Sequence, residues 1–225
     1  MCIYWYIGIL IGYRCGYISN RSAWHIPIHG NMLLWYAIAL IVTVNSHKVM
    51  SSRGSSFGRP SNVPVSLVFG VMNGIVETMI FIAVYDQGCN LGKWLLSNND
   101  EGNHYDRGVE TSNTIAATAA TANYTSSKAV GYFIFCLYSA MAHVLFWLPR
   151  ALPPHLRTDA PPFHKHGLPP LLLMSATWLL VYEVSNGTLI VPCVLHMYVD
   201  YRLATEIGLP GPFTSSEKMM YRTKY

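Results

Sequence analysis

The stretch 64–86, "PVSLVFGVMNGIVETMIFIAVYD", decides the fold. At about 1.5 Å per residue it crosses the roughly 30 Å hydrocarbon core of a bilayer as a single helix. Strand alternation is weak in it, and its length favours a helix. Yet Glu77 stands near its middle. A charged group at that depth costs roughly 2.5–3.5 kcal/mol on insertion scales, so it turns inward and seeks partners.

Working outward, five further apolar segments can be drawn, at about 3–13, 31–44, 129–149, 168–184 and 187–203. The pattern predicts an all-α, polytopic transmembrane helix bundle with about six membrane segments, organised as a single membrane domain over 1–225. The first two segments fall short of the roughly 20 residues that a spanning helix needs. The start, "MCIYWYIGILIGY", has no basic leader or small-residue cleavage site and reads as a membrane segment.

Composition agrees. The 225 residues are 52% hydrophobic and 12% charged, where a soluble domain carries roughly 25% charged residues. The net charge of +4 is spread over loops without an aromatic-interleaved patch, which excludes nucleic acid as a partner. Of the five cysteines, Cys136 and Cys193 lie in apolar segments, and none forms a CxxC. They read as small buried hydrophobes.

The connections differ in kind. Residues 51–64 are rich in Ser, Gly and Pro, and the 45–63 loop carries Lys48, Arg53 and Arg59 without an acid. The 87–128 loop is long and polar and holds "TIAATAATANYTSS", which reads as extended or irregular. The 150–167 loop is broken by prolines and basic. Basic loops on one side and the acidic loop on the other orient the bundle, with the basic side facing cytosol, stroma or matrix. His25, His29 and His47 sit at segment ends, and His155, His164 and His166 in the proline-rich loop, where solvated or interfacial places are expected.

Glu77 is not alone. His143 falls in the fourth segment, and His196 and Asp200 in the sixth. Counted along their helices, all four reach a similar central depth. His196 and Asp200 are four residues apart, one turn on the same helical face. Four such groups predict one shared polar site. A glutamate beside a histidine in a dry setting can act as general base toward water, and a second histidine can hold an oxyanion. No serine or cysteine is placed as a nucleophile, although Ser139 precedes His143 by one turn. A metal could instead use the glutamate and two histidines, but no HExxH occurs and the metalloprotease signal is weak; the expectation is no metal and no cofactor.

These motifs resemble the CPBP intramembrane protease family, which includes the CAAX prenyl endopeptidases and bacteriocin-processing relatives. The family's pattern is EExxxR, then FxxxH, then HxxxN or HxxxD. Here "ETMIFI" supplies Glu77, with Thr78 and Ile82 replacing the second glutamate and the arginine. "SAMAH" supplies His143, with Ser139 in place of the phenylalanine, and "HMYVD" supplies His196 and Asp200. The resemblance covers a core of about 64–203. It implies that Glu77 and His143 activate water while His196 and Asp200 hold the oxyanion, and that membrane-embedded or prenylated peptides are cleaved. The lost supporting charges equally fit a pseudoenzyme: a non-catalytic subunit of a larger organellar complex, photosynthetic for example, in a thylakoid or another organellar membrane, with lipids as partners. A transporter using the same polar layer ranks last, because no inverted repeat is visible.

Overall fold

The computed structural model describes residues 2–53, 62–100, 112–143 and 168–206. Among these residues the chain is helical and contains no strand. The helices are α1 (Cys2–Arg14), α2 (Met32–Arg53), α3 (Val63–Asp100), α4 (Ser112–Met141), α5 (Leu168–Val184) and α6 (Ile190–Glu206), with a 3₁₀ turn at Arg21–Trp24. Two of them are long and apolar enough to cross a membrane, over Met32–Ser51 and Val63–Leu96.

Local chemistry sets the ends. Asn62 caps α3, its Oδ1 accepting from the Val65 amide at 3.0 Å, and Pro64 sits in the first turn where no helical N–H is needed. Pro169 and Pro170 open α5 for the same reason. At its other end Asn186 (φ 57°) and Gly187 (φ 92°) turn the chain left-handed, and the Gly187 amide returns to the Tyr182 carbonyl at 2.9 Å. The turn hands over to α6, and the Leu189 amide bonds the Ala23 carbonyl at 2.7 Å, tying this corner to the 3₁₀ turn.

α3 is the axis of the bundle. It packs along α4, α6 and α1, while α2 packs on α5 and α6. Glycines set the closest approaches. A Cβ on Gly74 would stand 2.5 Å from the Met197 backbone nitrogen of α6. On Gly88 it would stand 2.9 Å from the Gly131 Cα of α4. Such small-residue contacts let helix backbones meet with little between them. A buried cluster including Met79, Phe81, Tyr85, Phe135 and Leu179 fills one side of α3. A second, with Met174, Trp178, Val181 and Val199, joins α2, α5 and α6.

Three sequence expectations change. The 87–128 region is mostly helix: α3 continues to Asp100 and α4 already begins at Ser112. "TIAATAATANYTSS" is therefore helical. It is alanine-rich and free of Gly and Pro, and alanine is the best helix former. Lys48 and Arg53 belong to α2, which outruns the apolar segment 31–44 because its polar end is still helical. His47 is buried, not interfacial: its Nε2 lies 3.1 Å from Ser51 Oγ and 3.3 Å from the Glu206 carboxylate at the end of α6. The 150–167 loop, with its histidines, lies outside the described residues.

Candidate functional site

The site lies where α3 and α6 come closest. On α3, Asn73, Glu77 and Phe81 follow one another at four-residue intervals on one face, and Thr78 stands beside them. On α6, His196 and Asp200 do the same, flanking Met197, whose backbone meets Gly74. The missing side chain at Gly74 is what allows a carboxylate on one helix to reach an imidazole on the other. Asn73, Glu77, Thr78, His196 and Asp200 are all buried.

His196 Nε2 lies 3.1 Å from Glu77 Oε2 and 3.5 Å from Asp200 Oδ2. Asn73 Nδ2 donates to the same two oxygens, at 2.9 Å and 2.8 Å. Its amide orientation follows from chemistry: Trp5 Nε1 can only donate, and it donates to Asn73 Oδ1 at 3.3 Å. Tyr4 donates to the other Glu77 oxygen at 2.9 Å. The imidazole's second nitrogen, Nδ1, lies 3.1 Å from Thr78 Oγ1. Thr78 Oγ1 donates its one proton to the Gly74 carbonyl at 2.6 Å. The hydroxyl therefore accepts from Nδ1–H, which places a proton on Nδ1 and turns Nε2 toward the two carboxylates.

Aromatic rings wall the cluster. Phe81 stacks on His196 with centroids 6.1 Å apart and planes 15° apart, and Trp178 of α5 approaches the same imidazole at 4.9 Å. Trp178 is anchored by its Nε1, which donates to the Thr43 hydroxyl of α2 at 2.8 Å. Four helices thus fix one histidine: α3, α6, α5 and, through Trp178, α2.

Of the four residues singled out in the sequence, Glu77, His196 and Asp200 meet directly. His143, two residues beyond the end of α4, meets the Phe81 ring at 6.0 Å and bonds the Ser139 carbonyl through Nδ1 at 2.7 Å. Among the described residues it makes no hydrogen bond to Glu77, His196 or Asp200. A carbonyl only accepts, so Nδ1 of His143 carries the proton and Nε2 its lone pair. Ser139 Oγ is buried without a hydrogen-bond partner among the described residues.

Asn73, Tyr4, Trp5 and Thr78 carry as much of the geometry and were not anticipated. Neutral polar groups in apolar helices carry no signal of their own. The G-x-x-x-G spacing of Gly70 and Gly74 was the available clue that another helix packs there. Further polar contacts line α3 beyond the site. Asp86 accepts from Tyr17 at 2.6 Å and from Tyr182 at 3.3 Å, and Glu183 of α5 takes Tyr85 and Lys128. These tie α4, α5 and the turn that follows α1 to the axis.

The chain matches no protein-family model, no curated protein and no solved structure. The chemistry must be read from the site itself. One ligand atom from each of Glu77, His196 and Asp200 lies within 4.8 Å of the others. Buried acid, imidazole and acid in contact can move a proton, polarise a water or hold a cation.

Proposed function

We propose that this chain is a membrane-embedded hydrolase of the CPBP type, activating water at the Glu77–His196–Asp200 cluster. The observation that carries the reading is the buried contact between α3 and α6, with His196 Nε2 3.1 Å from Glu77 and 3.5 Å from Asp200. An arrangement of this kind, enclosed by aromatic rings, strengthens electrostatic interactions at a reacting carbonyl. The substrate is a peptide presented within or at the membrane, such as a transmembrane or prenylated segment. His143 stands behind Phe81 as a further proton acceptor on the approach from α4.

The membrane setting rests on the two long apolar helices and on what the bundle leaves outside. On α2, Leu33, Leu34, Leu40 and Ile41 are each more than half exposed. A soluble surface rarely shows such a contiguous apolar strip, whereas lipid covers it without cost. A bundle of about six membrane segments, with the shorter α1, α5 and α6 packed on α3 and α2, is the arrangement we infer. An organellar membrane is the location we propose.

A second reading is favoured by one observation. Glu77 already receives hydrogen bonds from Tyr4 and Asn73 and touches His196, which suits a locked structural core. The chain would then be a non-catalytic subunit of a larger membrane complex. The deciding experiment incubates the purified full-length chain with membrane-embedded and prenylated reporter peptides in liposomes. The hydrolase reading expects cleavage by the wild type and a loss of at least about 100-fold in Glu77→Gln. Equal cleavage by Glu77→Gln, or none by a folded wild type, ends it in favour of the subunit.

A further inference from the structure

We propose that Glu77, His196 and Asp200 form a binding site for one divalent transition-metal ion of the zinc class. His196 carries a proton on Nδ1. Thr78 Oγ1 spends its own proton on the Gly74 carbonyl, 2.6 Å away, and accepts from Nδ1 at 3.1 Å. That bond fixes the ring so that Nε2 faces Glu77 Oε2 and Asp200 Oδ2. Two carboxylates sharing one buried site repel each other unless positive charge lies between them. A metal ion supplies that charge.

The spacing fits. Ligand atoms about 2.05 Å from a tetrahedral zinc lie roughly 3.3 Å from one another. The two distances from His196 Nε2 are 3.1 Å and 3.5 Å. The supporting contacts have the form that metal-bound histidines require: the non-ligating ring nitrogen donates to a fixed acceptor, here a threonine anchored to a backbone carbonyl. The ligating oxygens are themselves oriented, both by Asn73 Nδ2 and Glu77 also by Tyr4. Phe81 and Trp178 hold the imidazole plane from either neighbouring helix. Three protein ligands leave the fourth position for water or substrate, the pattern of zinc sites that do chemistry.

This inference deepens the hydrolase reading, and changes one role within it. With the ion bound, Glu77 is a ligand, and the ion, which draws the pKa of its bound water down to about 7, supplies the nucleophile.

The test uses the full-length chain, purified in detergent through a histidine-free tag. All variants carry His164→Ala and His166→Ala, so that the "FHKHG" segment contributes no metal. Chelator-stripped protein is titrated with Zn²⁺, and separately with Co²⁺, whose visible absorption reports tetrahedral ligation. One tight ion per chain with tetrahedral cobalt bands is expected. Glu77→Gln, His196→Gln and Asp200→Asn should lose tight binding while still unfolding cooperatively. Thr78→Val, which keeps the shape but removes the acceptor for Nδ1–H, should weaken binding about 10–100-fold, and Thr78→Ser should restore it. Background metal uptake by folded wild type overturns the proposal and assigns the cluster a shared proton instead. Tight binding that survives in both Glu77→Gln and Asp200→Asn overturns it as well. Binding and hydrolysis are read separately. Tight metal without peptide cleavage upholds the metal site and removes the hydrolase; Glu77-dependent cleavage by metal-free protein does the reverse.

Discussion

Asn73 shows how much of a buried site rests on a residue with no charge. Its oxygen receives Trp5, and its amino group serves both Glu77 and Asp200. Without it the two acids lose a shared donor, and a buried acceptor left unsatisfied costs about 1–3 kcal/mol. Asn73→Ala should lower stability by about that much. Asn73→Asp should cost more, because it replaces a shared donor with a third carboxyl group against two others. Thermal unfolding of both variants in one detergent checks the order; an Asp variant as stable as the Ala variant would contradict it. The sequence marked Glu77, His196 and Asp200 because ionisable groups stand out in apolar helices. Asn73, Thr78 and Tyr4 acquire meaning only once their partners are known.

Among the elements, the α3–α6 contact governs the site, and its closeness depends on Gly74. A Cβ there would meet the Met197 backbone, at 2.5 Å from its nitrogen and 2.7 Å from its Cα, and backbone cannot swing aside. Gly12 makes a useful comparison: a Cβ there would meet Met79 Sδ at 2.4 Å, near the flexible end of a side chain. Gly74→Ala should therefore destabilise by about 1–3 kcal/mol and part Glu77 from His196, while Gly12→Ala should cost less. Differential scanning fluorimetry and metal titration of the two variants read this directly. A Gly74→Ala protein with wild-type stability and metal affinity would show that the two helices are not held this closely. Helix identity was legible from length and apolarity in 64–86 and 168–184. The helical character of 112–127 was not: low complexity suggests irregularity, although an Ala/Thr run without Gly or Pro poses no obstacle to helix.

For the whole molecule, the question is what covers the outside. Leu33, Leu34, Leu40 and Ile41 on α2, with Val65, Leu67 and Val68 on α3, face outward and are exposed. If lipid covers them, the chain should remain in the membrane pellet through alkaline carbonate extraction and need detergent for release. Recovery in the carbonate supernatant would contradict the embedded arrangement and point to a protein partner on that face.

What the sequence determined by itself is the class of the molecule and the misfit residues within it. Charge is scarce, apolar runs are long, and groups that hydrocarbon excludes stand inside those runs, so helices with an inward-facing polar layer follow from solvation alone. The tertiary structure decided which of those residues touch. His143 shares their depth but sits against Phe81, while Gly74 lets α6 press onto α3 and bring His196 and Asp200 to Glu77. Depth along a helix is a one-dimensional property that can be counted from residues. Contact also requires rotation and spacing between helices, and those are set by which side chains are absent at the crossing.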